Sequence, residues 1–236
     1  MSEFRLAFPA CVIAGKHRLA VDDIGLLRKH TFPEGIRTSD DVIVMLALNN
    51  SCPEKCPEWD SFFVEQLAGF VVNYTYPQGS LDEINAAWLM RMVSTDGVVN
   101  SVLELELVLH VMEISACVPD ELRAFALDQL RLALSEKVGG YNHSRAVDRK
   151  GITRQDIDYV MRVLRGLCDA GVVNTPPLTW GVLMRIGEET LPTANHPRWA
   201  DILAGLRLID YAETPRRSRW LRIVDDPSSN CESAVA

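Results

Sequence analysis

The sequence lacks several features that define common protein classes. It contains no uncharged apolar stretch of about 18 residues, which a membrane-spanning helix would need. Its six cysteines are too few for a disulfide scaffold and favour reduced thiols. Basic residues are in the minority, since 24 Lys and Arg face 32 Asp and Glu and give a formal charge of −8. This charge disfavours nucleic acid or an anionic lipid surface as the main partner.

Short motifs typical of catalytic and nucleotide-binding sites are also missing. The chain has no G-x-S-x-G, no P-loop, no G-x-G-x-x-G and no H-E-x-x-H spacing. Glu104 and Glu106, or Asp22 and Asp23, could form an acid/base pair, but neighbouring acids on a helix usually form its solvated face. We therefore predict a non-enzymatic protein and predict no catalytic residues. An all-helical enzyme with an acidic site between units is one alternative.

The composition is that of a folded globular protein, with 47% apolar and 24% charged residues. A chain of 236 residues is long enough to form a hydrophobic core without disulfide bonds or structural metal ions. The apolar run at residues 6–14 resembles the core of a signal peptide. Glu3 offsets the charge of Arg5, and Pro9 interrupts the run, so we expect a cytoplasmic protein.

Three similar turns indicate that the chain contains an internal triplication. They read EGIRTS at 34–39, DGVVNS at 96–101 and DAGVVNT at 169–175. We expect each Gly to adopt the left-handed conformation at a helix C-terminus and the short polar residues to cap the next helix. The repeating unit is therefore a helix, a turn and a second helix.

The residues on both sides of these turns repeat as well. Apolar residues recur at matching positions before and after each Gly, with the spacing of three and four that marks a buried helical face. A proline then follows at a place that suits the first turn of a third helix. The matching sets are Ile24, Ala86 and Val160; Leu27, Leu89 and Val163; Leu46, Val108 and Val182; Ala47, Leu109 and Leu183; and Pro57, Pro119 and Pro197.

These repeats predict an all-α fold of three tandem three-helix units, packed as a compact bundle or a short solenoid. Each unit consists of a helix, a DG-type turn, a second helix and a Pro-started helix. The predicted divisions are an N-terminal segment at 1–20, the first two units at 21–136 (21–76 and 81–136), a Gly-containing linker at 137–151, the third unit at 152–212, and an Arg-rich segment with a disordered tail at 213–236.

One segment of the second unit has an ambiguous pattern. Residues 103–111 alternate leucine or valine with other residues, which by itself is typical of a strand. The register shared with the other units predicts a helix instead. Its buried face would then carry Leu105, Val108, Leu109 and Met112.

The DGVVN segment at 96–100, the DAGVVNT segment at 169–175 and their flanking helices resemble the TerB-like family, an all-helical group named for tellurite resistance. The resemblance implies an all-α fold, a stress or phage-defence setting in the cytoplasm or at a membrane surface, and a capacity for metal binding by acidic residues. The acid usual six positions after the Gly is Asp41 in the first copy, but Leu103 and Pro177 stand there in the others. A TerB-like metal-responsive stress protein is thus a further alternative.

Two patterns could hold a metal ion but lack a full ligand set. Read as EF-hand loops, the three turns place Asp41, Leu103 and Pro177 at the twelfth ligand position, and none supplies enough oxygen ligands. Cys52 and Cys56 offer two thiols for zinc or for a redox pair, but no second cysteine pair completes a site. We predict no metal and no cofactor.

The candidate partner-binding residues lie near the C-terminus. Within 213–222, four arginines face one glutamate, so this Arg-rich segment carries 4 − 1 = +3. It could bind an acidic partner, a phosphate or the chain's own acidic surface. Grooves between helical units are a second natural binding surface. We therefore predict a cytoplasmic scaffold or adaptor that binds another protein through an inter-unit groove or through this segment. Its candidate residues are Arg216, Arg217, Arg219, Trp220 and Arg222.

Overall fold

The computed structural model describes residues 8–145, 151–169 and 172–209, and 66% of them are helical. The α-helices in these ranges are α1 (Phe8–Gly15), α2 (Val21–Leu26), α3 (Ser39–Ser51), α4 (Pro57–Gly69), α5 (Glu83–Val93), α6 (Val102–Ile114), α7 (Asp120–Ser135), α8 (Gly139–Ser144), α9 (Arg154–Val163), α10 (Pro177–Glu189) and α11 (Arg198–Ala204). Single π-helical turns extend α2 and α4. The predominantly α-helical fold is confirmed. In the described ranges no helix has the length and apolarity needed to cross a bilayer.

Short strands between the helices were not predicted. They are β1 (Arg18–Leu19), β2 (Glu54–Lys55), β3 (Ser94–Thr95), β4 (Val98–Val99), β5 (Cys168–Asp169), β6 (Val172–Thr175) and β7 (Leu206–Leu208). β1 pairs with β2 in parallel, and β3 pairs with β4 as a hairpin. β6 lies between antiparallel β5 and parallel β7. The prediction of helices alone therefore needs this correction.

The DG turn of the second unit differs from its predicted role. Asp96 and Gly97 have φ values of 51° and 81° and form the two-residue turn between β3 and β4. Positive φ at both central positions matches the twist of a tight hairpin, and Asp-Gly is a favoured pair there. The left-handed conformation of Gly97 was thus predicted correctly, but the residue lies in a hairpin turn and not at the C-terminus of a helix.

The predicted helix starts agree with the structure at several positions. Thr38 caps α3 by accepting a hydrogen bond from Asp41 N at 3.2 Å, and Ser101 caps α6 in the same way through Glu104 N. Pro57 begins α4, while α7 and α11 start directly after Pro119 and Pro197. The third copy departs from the pattern because Thr175 lies in β6 and α10 begins at Pro177.

The core contains the apolar stripes that the repeats predicted. The three pairs before the turns, at 24/27, 86/89 and 160/163, are all at most 6% exposed. Residues 103–111 are helical, as predicted, and the face of α6 that carries Leu105, Val108, Leu109 and Met112 is buried. The core stabilises the fold chiefly through removal of these side chains from water.

Residues 139–144, inside the segment interpreted as a linker, form α8. Gly140 and Tyr141 are buried, and α8 packs against α6 and α7. Gly140 lies so close to the start of α6 that a Cβ added there would stand 2.4 Å from the Ser101 carbonyl oxygen. This part of the segment is therefore a packed element that supports α6.

Replacement of Gly140 by alanine should lower the free energy of unfolding by about 1–3 kcal/mol, because the backbone of Ser101 must move to admit the methyl group. Gly181→Ala is a matched control, since nothing lies within 4 Å of its added Cβ and it sits inside α10. Alanine at that site should be neutral or slightly stabilising. Urea denaturation of both variants checks this, and equal stabilities would contradict the close approach.

Candidate functional site

Helix α6 exposes a polar stripe beside its buried face. Glu106, His110 and Glu113 are spaced by four and three residues, which places them on one side of the helix. Val102 begins the same side and is 45% exposed. A groove runs along each flank of this stripe.

The first groove lies between α4 and α6 and encloses about 450 Å³. We call it the acidic groove; it is lined by Asp60, Ser61, Val64 and Glu65 of α4 and by Val102, Leu103, Glu106 and His110 of α6. Its apolar surface comes from the two valines and the leucine. Three carboxylates and one imidazole are the ionisable groups among these lining residues.

Asp60 and Glu65 differ from the third carboxylate of the groove. Both are exposed, and neither forms a side-chain hydrogen bond or ion pair with any other residue in the described part of the chain. Glu106, in contrast, receives two hydrogen bonds from Arg162, at 2.7 and 2.5 Å. The charge available to a ligand therefore comes mainly from Asp60 and Glu65.

The second groove lies between α6, α8 and α9 and is smaller, at about 280 Å³. Arg162 of α9 lines it and binds Glu106 and also Glu113, whose Oε1 lies 2.6 Å from Nε. These hydrogen bonds lower the pKa of the Glu113 carboxyl and raise that of Arg162. The Arg162 bridge thus joins α9 to α6 and neutralises much of the acidity on this flank.

Glu104 was interpreted as part of a solvated face, and the structure shows that this is wrong. Only 2% of its surface is exposed, although its neighbour Glu106 is partly accessible. The Ser101 hydroxyl donates to Glu104 Oε2 at 2.9 Å, so the carboxyl helps to hold the first turn of α6. Burial raises the pKa of Glu104 above its ordinary 4.5, and the hydrogen bonds from Ser101 partly oppose this shift.

The shifts at Glu104 and Glu113 predict pH effects of opposite sign. A raised pKa in the folded state means that native Glu104 holds its proton longer, so its ionisation reduces stability as pH rises above about 4.5. The lowered pKa of Glu113 adds stability that is present at neutral pH and lost as pH falls through its folded-state value.

We expect Glu104→Gln to become more stable relative to wild type between pH 4 and pH 7, and Glu113→Gln to become less stable over the same range. Guanidinium denaturation of the three proteins at both pH values measures the two differences. The same sign of change in both variants would contradict these assignments.

The predicted partner-binding residues Arg216, Arg217, Arg219, Trp220 and Arg222 lie outside the described residues. Of the two candidate metal thiols, Cys52 is buried and Cys56 is half-buried. Burial raises the pKa of the Cys52 thiol, which keeps it protonated. Within the described ranges, no three His, Cys, Asp or Glu side chains converge as metal ligands would.

The sequence patterns did not identify the residues that line the acidic groove. The spacing of Glu106, His110 and Glu113 was a usable signal, because it marks a polar stripe on an otherwise apolar helix. Asp60 and Glu65 gave no such signal, since exposed acids are common on helices. Their importance depends on the packing of α4 beside α6.

Comparison of the chain with protein-family models, with curated proteins and with solved structures found no significant match. The TerB-like resemblance therefore stays a prediction.

Proposed function

We propose that this protein is a non-enzymatic cytoplasmic adaptor that binds a basic amphipathic segment of another protein in the acidic groove. The observation that carries the proposal is the pairing of apolar surface from Val64, Val102 and Leu103 with two carboxylates that have no partner in the described structure. An amphipathic helix or extended segment presents arginine or lysine beside apolar side chains and complements such a surface.

The tandem arrangement of three-helix units forms part of this proposal. The first unit would comprise α2, α3 and α4, the second α5, α6 and α7, and the third α9, α10 and α11. The acidic groove would then lie between the first and second units, and the second groove between the second and third. Surfaces formed by neighbouring units are the usual binding sites of helical repeat proteins.

Charge favours a basic ligand in the acidic groove over one in the second groove. In the acidic groove, Asp60 and Glu65 have no ion-pair partner among the described residues. In the second groove, Arg162 occupies both oxygens of Glu106, which leaves Asp158 as the unpaired carboxylate of its lining. Arginine can also bind a carboxylate through two parallel hydrogen bonds, which adds orientation to attraction.

Fluorescence anisotropy with a labelled 12-residue helical peptide tests the proposal, with arginine on one face of the probe and leucine on the other. We expect Asp60→Asn/Glu65→Gln to weaken binding about 2- to 30-fold, because each exposed ion pair contributes roughly 0.2–1 kcal/mol. Raised salt should weaken binding to the wild type more than to this variant.

A control variant with the same change in net charge separates attraction by the groove carboxylates from attraction by the overall charge of the protein. Glu34→Gln/Glu188→Gln removes two exposed carboxylates that do not line the groove. It should bind the probe within about twofold of wild type. Equal weakening by both variants would contradict the proposal.

A further inference from the structure

We propose that the Arg-rich segment 213–222 of the same chain binds in the acidic groove and competes there with the partner. This inference rests on the proposed function, since it assigns a built-in competitor to the same site. The argument uses the charge of the segment, the position where the described chain ends and the length of chain that follows it.

The composition of the segment complements the groove. Residues 213–222 carry +3, so the rest of the chain carries −8 − 3 = −11. Trp220 stands between Arg219 and Leu221, with Arg222 next, which provides an aromatic anchor beside two cations. Arginines fit the free carboxylates of Asp60 and Glu65, and an indole suits the apolar surface between them.

The described chain ends beside the start of α10, which is hydrogen-bonded to the start of α7. Ile209 N donates to the Thr175 carbonyl at 2.9 Å, just before α10. The first turn of α10 is held by Asp120, which accepts from Leu178 N at 2.8 Å and from Thr179 N at 3.0 Å. Asp120 begins α7 and is separated from the last residue of α6 by the short connection 115–119. The described chain therefore ends near the start of α7, and the connection 115–119 leads from there to the end of α6.

The length of the remaining chain suits this placement. Arg216 is the seventh residue after Ile209, so the intervening chain can extend about 25 Å. From Arg216 to Arg222 an extended segment spans about 20 Å. Helix α6 has 13 residues and is also about 20 Å long. The segment can thus reach the end of α6 and lie along the groove beside it.

A tethered segment competes strongly even when its intrinsic affinity is low. Its effective concentration near the groove is on the order of millimolar, set by the linker and not by the amount of protein. A basic partner must therefore displace it. The arrangement would act as an autoinhibitory contact.

Methyl NMR of the full-length protein tests the contact directly. We compare wild type with the variant Arg216→Gln/Arg217→Gln/Arg219→Gln/Arg222→Gln, which we call the neutral-tail variant. The methyl signals of Val64, Val102 and Leu103 should shift, while those of Val182 and Leu183 in the core of α10 should not. A second variant with lysine at the same four positions keeps the charge and should give signals closer to those of wild type.

Affinity for the arginine probe supplies the second readout. The neutral-tail variant should bind the probe at least fivefold more tightly than wild type, because the competitor has been weakened. Unchanged groove methyl signals together with equal affinity would overturn the inference while leaving the proposed function intact. Shifted groove signals without probe binding to the neutral-tail variant would uphold the tail contact and refute the proposed function.

Discussion

Replacement of Asp156 by alanine is expected to lower the free energy of unfolding by about 3–5 kcal/mol, the cost typical of breaking a buried ion pair. The Asp156 side chain is fully buried, and it accepts hydrogen bonds from three residues. Tyr141 Oη donates at 2.9 Å, Arg145 Nη2 at 2.9 Å and Thr153 N at 2.8 Å. This network joins α8 to the first turn of α9.

The expected loss is large because the groups left behind cannot reach water. The Arg145 side chain is only 6% exposed, and it would lose two hydrogen bonds to the Asp156 carboxylate. The Tyr141 hydroxyl would lose its acceptor as well, which costs further free energy when a donor is buried. Burial and the nearby Asp156 carboxylate already raise the pKa of Tyr141, so the phenol stays a proton donor.

Urea denaturation of Asp156→Ala measures this effect, and Asp158→Ala, on the same helix, serves as its control. Asp158 is exposed, so its replacement should change stability by no more than about 0.5 kcal/mol. A loss below about 1 kcal/mol for Asp156→Ala would show that the network does not hold α8 and α9 together.

Trp59→Ala is expected to cost about 3–5 kcal/mol and to disturb the wall of the acidic groove. Trp59 is fully buried in α4 and packs against Phe62 and Phe63, each with its ring centroid 5.9 Å away. Its indole Nε1 donates to Asn49 Oδ1 at 3.1 Å, and Asn49 is itself only 5% exposed. Truncation therefore leaves a cavity and a buried oxygen without its donor.

Trp59→Phe separates these two contributions. It keeps most of the volume but removes the hydrogen bond, so we expect it to cost about 1–3 kcal/mol. Thermal and chemical denaturation of both variants give the stabilities, and the arginine probe reports on the groove. A loss below 2 kcal/mol for Trp59→Ala would contradict the central place of this side chain in the packing of α4.

Local periodicity in the sequence was enough to predict most of the helices and several of their caps, but not α1 or α8. Leu27, Leu89 and Val163 recur at one distance from their glycines, and each lies in the core. The same register identified α6 as a helix despite its alternating leucines. Thr38 and Ser101 were recognisable as caps because their side-chain oxygens can accept from the amide three residues ahead.

Features that depend on contacts between distant residues could not be predicted in the same way. Arg162 meets Glu106 across 56 residues, and nothing in either local pattern indicates the partner. The burial of Glu104 depends on how the start of α6 packs, which a helical pattern does not define. The hairpin at Asp96-Gly97 was in principle recognisable, since Asp-Gly between β-branched residues is also a hairpin signal.

The most direct test of the proposed function, the binding of a basic segment of another protein, is a charge exchange at the acidic groove. The substitutions Asp60→Arg and Glu65→Arg are introduced into the neutral-tail variant. The resulting protein is titrated with the arginine probe and with a second probe that carries glutamate in place of arginine. If the groove binds basic segments through these two carboxylates, the substituted protein should lose the arginine probe and gain the glutamate probe. Retention of the arginine probe with unchanged affinity would contradict the hypothesis.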